Sequence, residues 1–396
     1  MKRVFYCEGN ADGTIGGSYY SLLYLVSGLD RARYDPLVGF YHKNFVADLM
    51  REAGIETCIL DLPRVPRWEA NRLTKRMANL AFLRRPINLL WQFAIPAWQY
   101  TRFLKRERIA LVHLNNSVGH NHHWMLAAWL AAVPCVTHER GIIPDLNFLS
   151  RKLASRLRSI VCISSSVQQN LFRQGIGKRN SVMIFNGIDP DKVRPVREPQ
   201  TVREELGIVP ERLVVGIVGN IAEWKGQATV IEAMAKLRER FPEIVCLLVG
   251  DNSPLDRDFA DRLRARIRHL GLESHVIFTG YQRCVPDYVN IMSVVIHASI
   301  EPEPFGRVIV EAMALGKPVV GARAGGVTEI MVDGETGLLF TPGDAEGLAE
   351  SIGKLLDEPE LARQMGIAGR SRVKDEFHID RNVERTMAVY KSILGS

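Results

Sequence analysis

The sequence predicts an α/β protein built on two parallel sheets, each in its own domain. Three observations predict it: short apolar runs bounded by turn residues, longer amphipathic segments between them, and a proline-rich break after which the rhythm restarts. Strands that read as near-continuous apolar runs belong to sheets buried on both faces, and the intervening helices supply those faces. In the first series the runs fall at 4–7, 36–41, 111–114, 159–163 and 181–185. In the second they fall at 213–218, 244–249, 276–278, 294–297 and 318–321. A helix is expected at 19–27 behind the first strand, and helices at 344–356, 360–377 and 380–393, the last with Val383, Met387 and Tyr390 at helical spacing.

Pro190, Pro195, Pro199 and Pro210 interrupt any regular pattern, because proline removes backbone donors. The expected organisation is therefore a first domain over 1–189, a linker over 190–208, a second domain over 209–377, and a final helix over 378–396 crossing back to the first domain. The 396 residues suit two such domains, and 46% hydrophobic with 24% charged residues excludes disorder as the main state. Six cysteines, none closer than the 27 residues from Cys135 to Cys162, leave no CxxC pair for zinc or redox work. Only four apolar residues, Val4 to Cys7, separate Met1-Lys2-Arg3 from Glu8, so no secretion signal and a cytoplasmic location are expected. The most promising apolar stretch, 86–101, carries no charge but contains Pro86 and Pro96 and is too short to span a membrane.

Open parallel sheets bind ligands beyond the carboxyl ends of their strands, so the loops after each apolar run are the places to look. The loop 8–18 holds Gly16 and Gly17 just before a helix, where backbone N–H groups can approach a phosphate, although the spacing is not GxGxxG. The richest loop follows the run at 294–297 and contains Glu303, Pro304, Phe305, Gly306 and then Glu311. Pro304 bars helix at Glu303 and suits a helix start, placing Glu303 just before the helix and Glu311 two turns along. Eight residues at about 100° each bring position 311 within roughly 80° of position 303, so both carboxylates can reach one ligand. The helix looks apolar, with no solvated face to explain Glu311.

This pattern resembles the E-x7-E signature of family 4 glycosyltransferases, retaining enzymes of the GT-B fold. Further matches follow in order along nearly the whole chain. The segment from Gly219 through Asn220 to Lys225 and Gly226 resembles the strand-end loop that carries a phosphate-binding lysine. Asn186, Gly187, Ile188 and Asp189 resemble the turn closing the first domain. Gly325, Gly326, Val327, Thr328 and Glu329 resemble the Gly-Gly turn with its acidic residue, and Gly16-Gly17 the N-terminal glycine loop. The resemblance implies two Rossmann-like domains facing across a cleft and transfer of a hexosyl unit, with retention, from a UDP- or GDP-sugar to an acceptor hydroxyl. A saccharide or lipid-linked acceptor in glycan synthesis would fit.

Role by role, the resemblance implies that Glu311 grips the ribose hydroxyls of the donor, while Glu303 and the N–H groups of Phe305 and Gly306 hold the sugar. Lys225 would neutralise the departing pyrophosphate without a metal or bound cofactor. One departure stands out: the family usually places an arginine where this chain has Asn220, so Lys225 suffices, a residue such as Arg307 or Arg323 substitutes, or donor affinity is weak. His138 resembles the family histidine near the donor sugar and is the expected first-domain catalytic residue. Asn115, Asn116, Glu139 and Arg140 are the expected acceptor contacts.

His120, His122 and His123 do not converge on one helix face, and Asp189-Pro190-Asp191 and Asp256-Arg257-Asp258 read as incidental, so no metal site is expected. The segment 64–108 holds eleven Lys and Arg against Glu69 and Glu107, a net +9 in a chain of net +7. With Trp68, Phe82, Trp91, Phe93, Trp98 and Phe103 interleaved and no nucleic-acid module, it reads as a peripheral anchor for an anionic membrane surface. Two alternatives remain at this level. A nucleotide-sugar epimerase would need no acceptor, and a non-catalytic nucleotide-sugar or lipid-binding protein would bind without turnover.

Overall fold

The computed structural model describes residues 1–9, 17–60, 81–252 and 257–395. Gly16, the part of the basic segment before residue 81, and Asp256 lie outside the described residues. The chain divides into two compact units, one comprising Met1–Ile163, Val167–Ile184 and Asn382–Ser396, the other Ser164–Ser166 and Phe185–Arg381.

The first unit carries β1 (Lys2–Cys7), β2 (Tyr34–Phe40), β3 (Glu56–Ile59), β4 (Leu111–Leu114), β5 (Cys135–Glu139), β6 (Ser159–Cys162) and β7 (Ser181–Met183). They form one parallel sheet in the order β3-β2-β1-β4-β5-β6-β7. The second unit carries β8 (Val214–Val218), β9 (Val245–Val249), β10 (Val276–Gly280), β11 (Val294–His297), β12 (Val319–Ala322) and β13 (Leu338–Phe340). Its order is β10-β9-β8-β11-β12-β13, again parallel. In both sheets the strand order reverses beside the first strand, at β1/β4 and at β8/β11. Crossover helices on opposite faces diverge there and leave a crevice at the carboxyl ends.

The central strands follow directly from composition. Val214, Val215, Val294, Val295 and Ile296 are fully buried, since helices cover both faces. β3 and β13 are edge strands of mixed burial, and no apolar run in the sequence announced them. β5 escaped the same reading because Thr137, His138 and Glu139 put polar residues into a buried strand.

Residues 190–208 differ from the expected linker. Pro199 opens the helix Pro199–Glu205, and the buried Asp287 carboxylate accepts from the backbone N–H groups of Val196 and Arg197 and from Arg197 Nε at 2.8 Å. These bonds fasten the segment to the second unit. The last helix, Ile379–Leu394, places Val383 and Tyr390 in the core of the first unit.

The first unit's core centres on Trp124 in the helix His122–Leu130. Its ring is completely buried, stacks on Tyr100 at 4.0 Å, packs on Phe5 and Phe103, and donates Nε1–H to the Tyr41 hydroxyl. Trp124→Ala should destabilise the protein by about 3–5 kcal/mol, because cavity cost adds to lost transfer energy. A lowered urea midpoint for the first unit, read by near-ultraviolet circular dichroism, is the expected result.

Candidate functional site

In the second unit, the site is built where β8 and β11 end. After β8 the chain turns through Gly219 and Asn220 into a single 3₁₀ turn, Glu223–Lys225, closed by Gly226 at φ +75°. A Cβ at Gly226 would collide with the Ala298 carbonyl just beyond β11, so only glycine lets the two loops touch. The contact brings Lys225 Nζ to 3.0 Å from Glu303 Oε2, across 78 residues of sequence. The ammonium also lies 4.1 Å from the centre of the Trp224 ring, a cation–π contact that helps fix it.

Glu303 Oε2 receives two further donors, His297 Nε2 at 2.6 Å and Ser299 Oγ at 3.0 Å. Burial alone would raise the Glu303 pKa, but His297 and Lys225 outweigh it and hold the carboxyl well below the usual range. All three donors meet Oε2, leaving Oε1 as an acceptor for a ligand hydroxyl. His297 is a functional residue that the sequence reading passed over, since it closes an apolar strand and its register alone marks it.

The helix after this loop begins at Arg307, three residues later than Pro304 suggested. Gly306, at φ +112°, caps it from outside helical space. Phe305 is buried against Phe185 and Phe377, with centroids 6.4 and 6.0 Å away, so its ring anchors the loop. The N–H groups of Phe305 and Gly306 meet no acceptor among the described residues and lie beside the Glu303 carboxylate in the chain. Glu311 does not stand alone on an apolar helix as expected: Arg307 Nε donates to its Oε1 at 2.6 Å. One carboxylate oxygen is thereby used and the group stays half-buried.

The Gly-Gly turn supports the loop from behind. Gly325, at φ +61°, would clash with the Glu303 carbonyl if it carried a Cβ, and Gly326 N–H donates to that carbonyl at 2.8 Å. Glu329 is committed to backbone, accepting from Ser165 N–H at 2.7 Å and Ser166 N–H at 3.1 Å. The Asn186–Asp189 turn is fixed by Ile188, which exchanges backbone bonds with Phe377 and Ile379. Asn220 is exposed and brings no cation. Arg323 is paired with Asp333 and Arg307 with Glu311, so Lys225 is the cation that the structure sets beside Glu303.

In the first unit, the ends of β1, β4 and β5 converge on Glu8. Its fully buried carboxylate accepts from Asn115 Nδ2 at 2.5 Å, Asn116 Nδ2 at 2.6 Å and Ser18 Oγ at 3.4 Å, next to the helix Gly17–Ser27. Arg140 in turn donates to the Asn115 carbonyl and side chain at 2.9 and 2.8 Å. Asn115 and Glu139, expected at the acceptor, are instead fully buried and hold loops. Glu139 accepts from Val118 N–H at 2.8 Å and Gly141 N–H at 3.4 Å. Asn116 and Arg140, by contrast, line a cavity of about 170 Å³ with Gly9, Ser18, Ser117 and His120. His138 is buried within β5. His122 bonds Ser150 Oγ at 2.8 Å, and among the described residues no cluster of His, Cys, Asp or Glu could hold a metal ion.

Two family profiles together match most of the chain: "Glycosyl transferases group 1" over residues 199–372 and "Glycosyltransferase Family 4" over residues 15–192. N-acetyl-alpha-D-glucosaminyl L-malate synthase of Bacillus anthracis is 27% identical over 82% of this chain and 87% of its own length. The GDP-mannose-dependent alpha-(1-6)-phosphatidylinositol monomannoside mannosyltransferase of Mycolicibacterium smegmatis is 27% identical, over 65% of this chain and 64% of its own. The crystal structure of Anabaena Alr3699/HepE in complex with UDP-glucose superposes with a TM-score of 0.80 at 24% identity, covering 99% of this chain and all of that one, a likeness of fold.

Burial raises the Glu139 carboxyl from 4.5 to about 7, outweighing the N–H donors around it. The folded state therefore keeps a proton that the unfolded chain has released, and stability declines as pH rises between these values. The expected decline is on the order of 3 kcal/mol. Urea midpoints measured from pH 4.5 to 8 should show it in the wild type and not in Glu139→Gln.

Proposed function

The chain belongs to the family 4 glycosyltransferases, and from that premise we propose that it transfers a hexosyl unit, with retention, from a UDP- or GDP-sugar to an acceptor hydroxyl. The observation that carries this reading is the Lys225–Glu303 pair at the switch point of the second sheet. A sugar donor presents two problems at once, a polyhydroxyl ring and a pyrophosphate that gains charge as the glycosidic bond to phosphate breaks. Glu303 Oε1 and the N–H groups of Phe305 and Gly306 suit the ring, since a carboxylate accepts from hydroxyls and amides donate to them. Lys225 suits the pyrophosphate, as a fixed charge whose value grows toward the transition state. Glu311, with its second oxygen uncommitted, suits the ribose diol.

Glu303 is a poor candidate for a covalent nucleophile, because one of its oxygens is tied to three donors and its charge is neutralised by Lys225. This favours displacement on one face, in which the departing phosphate oxygen takes the acceptor's proton as the new bond forms. A lysine in the metal's place favours a reaction without divalent ions. HepE was crystallised with UDP-glucose and the mycobacterial relative is named for GDP-mannose, so UDP- and GDP-sugars are the donors to try first.

Glu303→Gln should cut turnover roughly ten- to a hundredfold with little loss of nucleotide affinity, whereas Glu311→Gln should weaken free UDP or GDP binding by a similar factor. Calorimetry and donor-hydrolysis rates separate the two, and identical behaviour of both variants would sink the assignment. Lys225→Ala should abolish transfer while EDTA leaves the wild type active. Release of UDP that depends on acceptor distinguishes transfer from epimerisation.

A lipid-linked saccharide at a membrane is the acceptor we favour. Among the described residues no helix is long and apolar enough to cross a bilayer. On the helix Ala81–Arg106, however, Trp98 is exposed and carries the Arg102 guanidinium 4.8 Å from its ring, with Lys105 and Arg106 exposed beyond. Each basic residue reaching an anionic surface contributes about 1 kcal/mol, and tryptophan seats at headgroup depth. Reversing Arg84, Arg85, Arg102, Lys105 and Arg106 to Glu should abolish sedimentation with phosphatidylserine vesicles and spare donor hydrolysis. Wild-type protein that ignores such vesicles at low salt points to a water-soluble acceptor.

A further inference from the structure

The chain from Leu146 to Ile188 carries seven Lys and Arg and no Asp or Glu. Four of these cations, Arg151, Arg158, Lys178 and Arg179, line one cavity of about 620 Å³ in the first unit, and no carboxylate shares its wall. That volume lies within the roughly 300–1,000 Å³ of small-molecule pockets. Elsewhere exposed cations of this protein pair with acids, Arg33 with Asp30, Arg51 with Asp48 and Arg266 with Glu232. None of the four has an acidic partner among the described residues. Of their side chains only Arg151 is hydrogen-bonded there, Nε donating to the Leu146 carbonyl at 2.9 Å.

The cavity is built at the amino-terminal ends of β6 and β7. Arg158 directly precedes β6, and Asn180 directly precedes β7 and donates Nδ2–H to the Leu157 carbonyl at 2.7 Å, which ties the two approaches together. Between Arg173 and β7, Gly175 and Gly177 take φ +77° and +82° and turn the chain so that Lys178 and Arg179 reach the wall. The N–H groups of Asn180 and Ser181 both fold back to the Gly177 carbonyl, whereas those of Gly177, Lys178 and Arg179 meet no acceptor among the described residues. Successive unpaired amides in a turn favour an anion. Cations at the carboxyl end of a helix offset its dipole, which accounts for Arg151 in the last turn of Phe148–Ala154. It does not account for Arg158, Lys178 and Arg179, which lie outside the helices.

We propose that this cavity binds a ligand carrying clustered phosphates, at a site separate from the crevice at the other end of the sheet. Two guanidinium forks and an ammonium around one hollow can meet several phosphate oxygens at once, and arginine matches phosphate with paired hydrogen bonds. Like charges gathered without counter-charges repel one another, so a bound polyanion stabilises the arrangement. Asn116 and Arg140 follow the carboxyl ends of β4 and β5, a strand's length from the cavity, roughly 13 Å for the four residues of β6. A ligand held by Arg158 and Lys178 therefore leaves those residues untouched and is accessory to whatever chemistry they serve. The site does not depend on the glycosyltransferase reading above. A lipid head group and a soluble phosphate compound share the chemistry it recognises.

Inorganic tripolyphosphate is the probe, titrated calorimetrically into the full-length protein with excess UDP present to fill the donor pocket proposed in the second unit. The wild type should bind it roughly tenfold or more tighter than orthophosphate, and replacing Arg158, Lys178 and Arg179 together by Gln should weaken it by a similar factor. A control that loses the same charge from exposed positions of the second unit, Lys354→Gln with Arg370→Gln and Lys374→Gln, should bind as the wild type does. Unchanged affinity in the cavity variant overturns the proposal. Equal weakening in the control overturns it too, since net charge alone would then govern binding, and so does a wild type that holds tripolyphosphate no better than orthophosphate. Should the triple variant fail to fold, Lys178→Gln alone, an exposed side chain in a turn, repeats the test and should weaken binding roughly two- to fivefold. Vesicles containing phosphatidic acid separate the two sources. Displacement of tripolyphosphate by the vesicles assigns the phosphates to a lipid head group, and displacement by soluble oligophosphates alone assigns them to a soluble ligand.

Discussion

Glu303 Oε2 collects hydrogen bonds from the end of β11, from the loop after it and from the loop after β8, and much of the second unit exists to make that convergence possible. A charged carboxylate at this depth is costly unless paired and hydrogen-bonded. The pairing requires the two loops to touch, which requires Gly226, and requires the Glu303 backbone to be held from behind, which requires Gly325. Phe305 then locks the loop into an aromatic cluster with Phe185 and Phe377. Removing any of these parts would leave the lysine and the carboxylate correctly ordered in sequence but misplaced in space.

The first unit solves a similar problem with neutral partners. Glu8 sits at the same topological position after β1 as the Lys225 loop does after β8, but its charge is met by asparagine amides and a serine hydroxyl. These donors neutralise less and orient more. The unit consequently fixes three strand ends around a small polar cavity and keeps Arg140 beside it. One sheet end is organised around an ion pair, the other around a network of amides.

The central strands, the two-part division of the chain and the E-x7-E loop were legible in the sequence because each depends on local pattern. Apolar runs report burial on both faces, and Pro304 reports a non-helical neighbour. What was not legible depended on distance in the chain. The partner of Glu311 is Arg307, four residues away at helical spacing, whereas the two asparagine donors to Glu8 lie more than a hundred residues on. Glu139 looked available because it follows a strand, yet the backbone that folds over it comes from a different loop. Tyr390 read only as one apolar residue in a helical stripe, since its hydroxyl's partner, His113, is 277 residues earlier.

The first unit is discontinuous along the chain: its core includes Val383 and Tyr390, which follow the entire second unit. A ribosome making this protein releases β1 well before the residues that seal it. Domains generally fold as units during synthesis, N-terminal first. Here the N-terminal sheet must wait, its Tyr6 and His113 without their hydroxyl partner, until some two hundred later residues have emerged. The second unit, continuous from Phe185 to Arg381 apart from three serines, is free to complete itself sooner. Order of synthesis and order of completion are therefore reversed, and the buried histidines are sealed only after the second unit has emerged.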